Sequence, residues 1–386
     1  MINKSDFENP LRNQCMSLPD LCEDQIAGVR KGIEGAIPCE RLKNIRSIIL
    51  TGCGDSYFAG RAVLPAFKHF AGKFGSKFSV ERCIDVSRFL DFPEKEGQST
   101  LVIGISASGG PARVEEALSR ARKHGYATMA LTNNPDSRAA QVAEYALIVN
   151  TPTFPNPNPG LRNYFASLTG LLMFAAHLGE VKGISPAGTM DKLAEAIREY
   201  TRSYQAILPE LDQKMFELAA TWKDYGAIDT IGDDIHAATA QFIGAKFAEV
   251  AGVLAAFSDS EDWCHVHYFA HAPETIGTIV IADKHDNNRT RIGETLHQAA
   301  GIGRPVLFIA NGSQKDFGVN ENILELIVPE APQGYEFILP LLNYIPGSIL
   351  ASYVSALLQE PYFRAGKGHW AEEGVGTIKS SKIIVL

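Results

Sequence analysis

Short, almost wholly apolar runs recur along this 386-residue chain, each followed by a stretch of helical periodicity. Runs of that kind are buried on both faces, which places them in parallel sheets covered by helices. Ser47–Gly52 (SIILTG), Lys77–Cys83, Leu101–Ser106 (LVIGIS), Ala127–Thr132 and Tyr145–Asn150 read as five strands. Helices are expected over Asp55–Phe70 and over Pro111–His124, where Val114, Ala117, Leu118 and Ala121 share one face. The order returns downstream. Ala227–Gly232 reads as a strand and Ala237–Leu254 as a helix, followed by strands at Thr278–Ala282, Pro305–Ala310 and Leu324–Val328. The chain is therefore expected to be α/β, with two similar units at 28–190 and 222–350. An N-terminal arm (1–27), a helical connector (191–221) and a tail (351–386) complete the division. Thr151–Gly160 is too rich in proline for a helix and reads as a surface loop that crosses the molecule or rims a site.

Acidic residues outnumber basic ones, 44 to 36, for a net charge of −8. A nucleic-acid partner needs the opposite balance and is not expected, whereas a small anion needs only a local positive field. No apolar stretch approaches the roughly 18–20 uninterrupted residues that span a bilayer, and the N-terminus lacks a secretory h-region. Neither membrane contact nor secretion is expected. Six cysteines without a CxxC pair read as reduced thiols of a cytoplasmic protein.

Two loops stand out. Gly52-Cys53-Gly54-Asp55-Ser56 follows the first strand, and Ser106-Ala107-Ser108-Gly109-Gly110 follows the third. Glycines allow close backbone approach, and N–H groups at a helix start together with serine hydroxyls hold an oxyanion. Either loop alone is equally an ordinary capped turn. The pair, at the carboxyl ends of neighbouring strands, points to one anion site. A dinucleotide site is the rival, but Gly52, Gly54 and Gly60 do not have the G-x-G-x-x-G spacing.

Ile48–Gly60, with Leu101–Pro111 and Ala127–Asn134, resembles the first half of the sugar isomerase (SIS) domain family. The likeness is to two-domain members such as the isomerase half of glucosamine-6-phosphate synthase and SIS sugar-amine deglycases, and it covers about residues 40–350. It implies two tandem SIS domains, each a parallel five-stranded, doubly wound (flavodoxin-like) sheet flanked by helices. It also implies that Gly52, Cys53, Gly54, Asp55, Ser56, Ser106, Ala107, Ser108 and Gly109 surround the phosphate of a 6-phosphosugar, with Arg162 near the sugar. Asp55 stands where relatives often have threonine, and a carboxylate suits a sugar hydroxyl better than a phosphate. The second unit begins Gly232-Asp233-Asp234, whose carboxylates repel a dianion, so one phosphosugar site per chain is expected.

Glu249 sits among Phe247, Ala248, Val250 and Ala251, apolar company that would raise a carboxylate's pKa toward that of a working base. On residue type alone it reads as a helix-surface glutamate. Its spacing from Gly232 matches the family, and His265 follows sixteen residues later. The resemblance implies Glu249 as the enolisation base and His265 as the ring-opening acid/base. It further implies a tail amine that condenses with the keto sugar: Lys382, with Lys379 as second candidate. His265, His267 and His271 invite a metal reading, but proton transfer needs none, and neither metal nor cofactor is expected. The expected function is a phosphosugar isomerase or amino-sugar-phosphate isomerase/deaminase working between C1 and C2 through an enediol(amine). The alternatives are a deglycase of a 6-phosphorylated sugar–amine adduct and a non-catalytic phosphosugar sensor. A homo-oligomer is expected, a dimer or an assembly of dimers, because the family's histidine often reaches the neighbouring subunit's site. With Ile2 in place of an N-terminal cysteine nucleophile and few residues before the first strand, no glutaminase activity is expected.

Overall fold

The computed structural model describes residues 3–73, 75–365, 367–372 and 376–386; Met1, Ile2, Phe74, Gly366 and 373–375 lie outside the described residues. Five strands form the first sheet: β1 (Ser47–Gly52), β2 (Lys77–Arg82), β3 (Thr100–Ile105), β4 (Ala127–Thr132) and β5 (Tyr145–Ile148). All pair in parallel, in the order 2-1-3-4-5. The second sheet holds β6 (Ala227–Gly232), β7 (Leu254–Ser258), β8 (Ile276–Ala282), β9 (Val306–Ala310) and β10 (Leu324–Ile327). Its order, β10-β9-β8-β6-β7, is the same topology read from the other edge. Both are the flavodoxin-like arrangement that the resemblance implies, with a topological switch point between the first and third strands of each sheet.

The chain divides into two compact units, each discontinuous in sequence. Asp20–Phe154, Arg162–Arg198 and Gly366–Leu386 make the first-sheet unit; Met1–Pro19, Pro155–Leu161 and Glu199–Ala365 make the second-sheet unit. Within the first, β3 and β4 are buried at every position. Gly104 on β3 lets helix Ala112–Lys123 seat Leu118 directly on the strand, where an added Cβ would stand 2.8 Å from Leu118 Cδ1. A second core joins Ile231, Val280, Phe308 and Trp263 to Ile292 and Leu296 of helix Arg289–Gly301. Burying each such large apolar side chain is worth about 1.5–3 kcal/mol, which drives the layers together.

Several boundaries differ from the sequence reading. The second strand stops at Arg82, because Cys83 opens a short helix, Cys83–Arg88. The helix expected over Ala237–Leu254 is three elements: an α-helix Asp234–Lys246, a π-helical turn Phe247–Ala251, and β7 after Gly252. Gly252 makes that break at φ +66, and an added Cβ there would meet the Arg364 guanidinium at 2.3 Å. Two helical stretches, Leu161–Val181 and Glu336–Leu357, do have the length and hydropathy of a membrane span. Their apolar windows are 83% and 100% buried inside the fold, as core helices are.

Candidate functional site

In the first-sheet unit the two glycine- and serine-bearing loops leave the carboxyl ends of β1 and β3, adjacent strands on either side of the switch point. Gly54 has φ +52 and ψ −125, the angles of the first central residue of a type II′ turn, and Ser56 N–H closes that turn on Cys53 C=O at 3.1 Å. Gly52 is required too: an added Cβ would fall 2.6 Å from the Ser56 carbonyl carbon. Helix Asp55–Ala71 starts from this turn, so its amino end faces the crevice.

The second loop is tied from within. Gly109 N–H donates to Ser106 Oγ and to Ser106 C=O, each at 3.0 Å, and Gly110 N–H donates to Ser108 Oγ at 3.3 Å. Ala107 C=O accepts from Asn133 N–H at 2.9 Å and Thr132 Oγ1 at 3.1 Å, which fastens the loop to the end of β4. Ser106 is buried and Ser108 exposed. The Gly109 amide is thus spent inside the loop, while the Ala107 and Ser108 amides make no hydrogen bond among the described residues. Two adjacent N–H donors and an exposed hydroxyl are groups of the kind that can hold an anion.

Asp55 and Arg162 flank other groups of this unit. Burial, and then the Asp55 charge, push the Tyr164 phenol well above its usual pKa. Arg162 stacks its guanidinium 4.4 Å over the Phe154 ring at the end of the proline-rich loop, and burial lowers its pKa.

The tail docks on the same unit. Buried Glu116 on helix Ala112–Lys123 pairs with Arg88 at 2.6 Å and with Arg113, and it accepts Ile384 N–H at 3.1 Å. Ala112 N–H donates to Ile378 C=O at 2.9 Å, and Arg138 donates to Lys379 C=O at 3.0 Å. This clamp sets Lys379 at the second loop: a Cβ added to Gly110 would be 3.6 Å from Lys379 Cε and 3.6 Å from Ser108 Oγ. Lys379 and Lys382 are both exposed, and it is the carbonyl of Lys382 that meets Arg113.

In the second-sheet unit, Glu249 lies on the π turn, a distortion frequent at functional sites. Its Oε2 is 2.6 Å from Nζ of Lys246, whose side chain is fully buried and stands 4.6 Å over the Phe242 ring. The apolar neighbours Phe247, Val250 and Ala251 are buried, yet the Glu249 side chain itself is 37% exposed and faces an ammonium. An apolar pocket is therefore not its setting. Arg364 backs the turn, its N–H donating to Glu249 C=O at 3.2 Å and its guanidinium to Ala251 C=O at 3.3 Å.

His265 ends helix Ser260–His265, 68% exposed, with Nε2 2.8 Å from Glu261, which also pairs with Arg291 at 2.7 Å. Strand β7 separates Glu249 from His265 along the chain, the π turn leading into one end of it and the histidine helix leaving the other. His267 serves the scaffold: its Nδ1 lies 2.9 Å from Asp229 on β6, which also accepts Trp263 Nε1–H at 2.8 Å. Asp233 heads helix Asp234–Lys246 without capping it. Instead it accepts Ser260 N–H at 2.9 Å and bonds the Asn288 amide, so this unit's switch point is closed by its own side chains. Lys246 escapes sequence reasoning, an i,i+3 Lys–Glu pair being the signal available, whereas Lys379, the second candidate after Lys382, is the tail lysine set beside the loop.

Two sheets of the same 2-1-3-4-5 topology, one with serine-bearing loops at its switch point, match the tandem SIS-domain fold. No family model matches the chain. Its sequence is 27% identical over 259 residues to glutamine–fructose-6-phosphate aminotransferase (isomerizing) of Thermococcus kodakarensis, covering 66% of this chain and 41% of that protein. The chain spans about half or less of the length of the first such relatives. Among solved structures, the C-terminal domain of glucosamine–fructose-6-phosphate aminotransferase from Francisella tularensis superposes with a TM-score of 0.79 at 17% identity, over 93% of this chain and 99% of that one. Tagatose-6-phosphate ketose/aldose isomerase from Escherichia coli gives 0.64 at 17% identity, over 93% and 94%.

Proposed function

We propose that this chain is a phosphosugar-processing enzyme of the isomerase type, moving a proton between C1 and C2 of an open 6-phosphosugar. The observation that carries the reading is the Lys246–Glu249 pair: a buried ammonium fixed at 2.6 Å beside a half-exposed carboxylate on a π turn. In the proposed step Glu249 takes the carbon-bound proton next to the carbonyl, and the electron pair moves onto the carbonyl oxygen. The oxyanion takes the proton of the neighbouring hydroxyl, Glu249 returns its proton to the former carbonyl carbon as the new carbonyl forms beside it, and buried Lys246 holds the Glu249 carboxylate in place. The Ala107 and Ser108 amides, with the Gly52–Ser56 turn, offer donors suited to a phosphate dianion.

His265 opens the ring, acting in a neighbouring copy of the chain. The exposure of its side chain supports that assignment. Lys379, held at the phosphate loop, is a better tail amine than Lys382 on the geometry of its side chain. Fructose 6-phosphate, glucosamine 6-phosphate and a 6-phosphorylated sugar–amine adduct share the enolisation step and differ in what leaves. Incubation with each, followed by proton NMR for aldose–ketose conversion, ammonia release and free-amine release, tests the reading and separates isomerase, deaminase and deglycase. Binding of all three without any turnover would replace it with a sensor.

A further inference from the structure

The first loop contains a thiol that phosphate binding does not require. Strands β1 and β2 run side by side with Gly52 opposite Arg82, so the next residues, Cys53 and Cys83, leave neighbouring strands together. Adjacent strands are about 4.8 Å apart, within the Cα separation of roughly 4.4–6.8 Å that a disulfide spans. Thr51 Oγ1, on β1, donates to Cys83 Sγ at 3.4 Å, which brings the Cys83 sulfur against the end of the neighbouring strand. Cys53 is exposed and Cys83 is buried. The hydrogen bond from Cys83, with help from the charge of Arg113, holds the Cys53 thiol below its usual pKa; the same bond and burial hold Cys83 above. An accessible, thiolate-prone sulfur with a second thiol at the end of the adjacent strand is the setting in which oxidation stops at a disulfide.

We propose that Cys53 and Cys83 are a peroxide-responsive dithiol that closes across β1 and β2 and pins the Gly52–Ser56 loop. The Cys53 thiolate attacks one oxygen of hydrogen peroxide, the O–O bond breaks, and the departing hydroxide takes a proton to leave as water. The Cys83 sulfur, as it loses its proton, attacks the Cys53 sulfenic sulfur; the S–O bond breaks and a second water leaves. Two thiols thereby lose two electrons and two protons, and one peroxide becomes two waters. Closure draws Cys53 out of the turn that Gly54 and Ser56 complete. Its effect on ligand rests on the function proposed above, whereas the bond itself does not.

The test uses the full chain, treated with stoichiometric hydrogen peroxide at pH 7, alkylated and digested for mass spectrometry. The expected product is a Cys53–Cys83 cross-linked peptide that dithiothreitol reverses. Cys53 should react about tenfold faster than Cys39, an exposed thiol that serves as internal control. In Cys83→Ser, Cys53 should accumulate as a sulfenic acid trapped by dimedone. No cross-link in the native chain, or Cys39 reacting as fast as Cys53, overturns the proposal. Fructose 6-phosphate binding is then compared before and after oxidation, with a tenfold loss expected. Unchanged affinity in cross-linked protein overturns the pinning, and failure of the reduced protein to bind any phosphosugar counts against the proposed function alone.

Discussion

Nζ of Lys246 stands 2.6 Å from Oε2 of Glu249, and between the two residues the helix changes from α to π hydrogen bonding. The lysine ends the regular helix with its side chain wholly inside the fold; the glutamate leans outward on the widened turn. A charge that is buried yet adjacent to an accessible carboxylate is poorly suited to stability alone, because desolvation consumes much of its attraction.

Lys246→Met separates the two roles. Methionine fills nearly the same volume, and Glu249 keeps access to water, so the loss of stability should stay under about 1.5 kcal/mol. Turnover of the phosphosugar should fall by about a hundredfold or more, since the ammonium that holds the Glu249 carboxylate in position is lost. Urea unfolding and steady-state kinetics on the same preparation check both halves.

Gly109 has φ +60, and an added Cβ would lie 2.0 Å from Ser137 Oγ and 2.3 Å from Ser137 Cβ. Gly109→Ala therefore combines left-handed strain with a collision and should cost at least about 2 kcal/mol. Gly125, at φ +77 with nothing nearby, provides the comparison: Gly125→Ala should cost about 1–2 kcal/mol from backbone strain alone. Denaturant midpoints and slopes of the two variants give the difference.

The two tail lysines should behave differently. Lys379→Ala removes an ammonium lying at Gly110 and Ser108, and should lower kcat by about a hundredfold. Lys382→Ala leaves its carbonyl on Arg113 and should stay within about twofold of the parent.

The His267–Asp229 pair gives the fold a pH signature. Its hydrogen bond to Asp229, opposed in part by burial and by Arg304, holds His267 above the ordinary histidine value of 6.5. A raised folded-state pKa contributes stability that is complete below the unfolded value and is lost as pH rises through the folded one. Unfolding free energy should therefore fall as pH rises above 6.5, and His267→Gln should flatten that part of the profile.

Much of this architecture was legible because parallel strands buried on both faces declare themselves as continuous apolar runs. β1, β4 and β6 have the limits their composition suggests. β7 did not, because it is a five-residue edge strand, Leu-Ala-Ala-Phe-Ser, whose apolar pattern simply continues that of the helix before it. Only pairing with β6 makes it a strand. Glu249 was singled out by spacing, but its surroundings were misjudged: Phe247, Val250 and Ala251 are buried in the core while Ala248 is exposed, and the residue that meets the carboxylate is one helical turn back. Asp233 looked like a cap and instead bridges Ser260 and Asn288, a tertiary choice that local sequence does not encode.

The most direct measurement is hydrogen exchange at C1 and C2 of fructose 6-phosphate in heavy water, followed by NMR for the parent chain and for Glu249→Gln. The account predicts deuterium incorporation by the parent, and a loss of about a hundredfold or more in the variant while the sugar phosphate still binds within about threefold. Exchange at the parental rate in Glu249→Gln would contradict it.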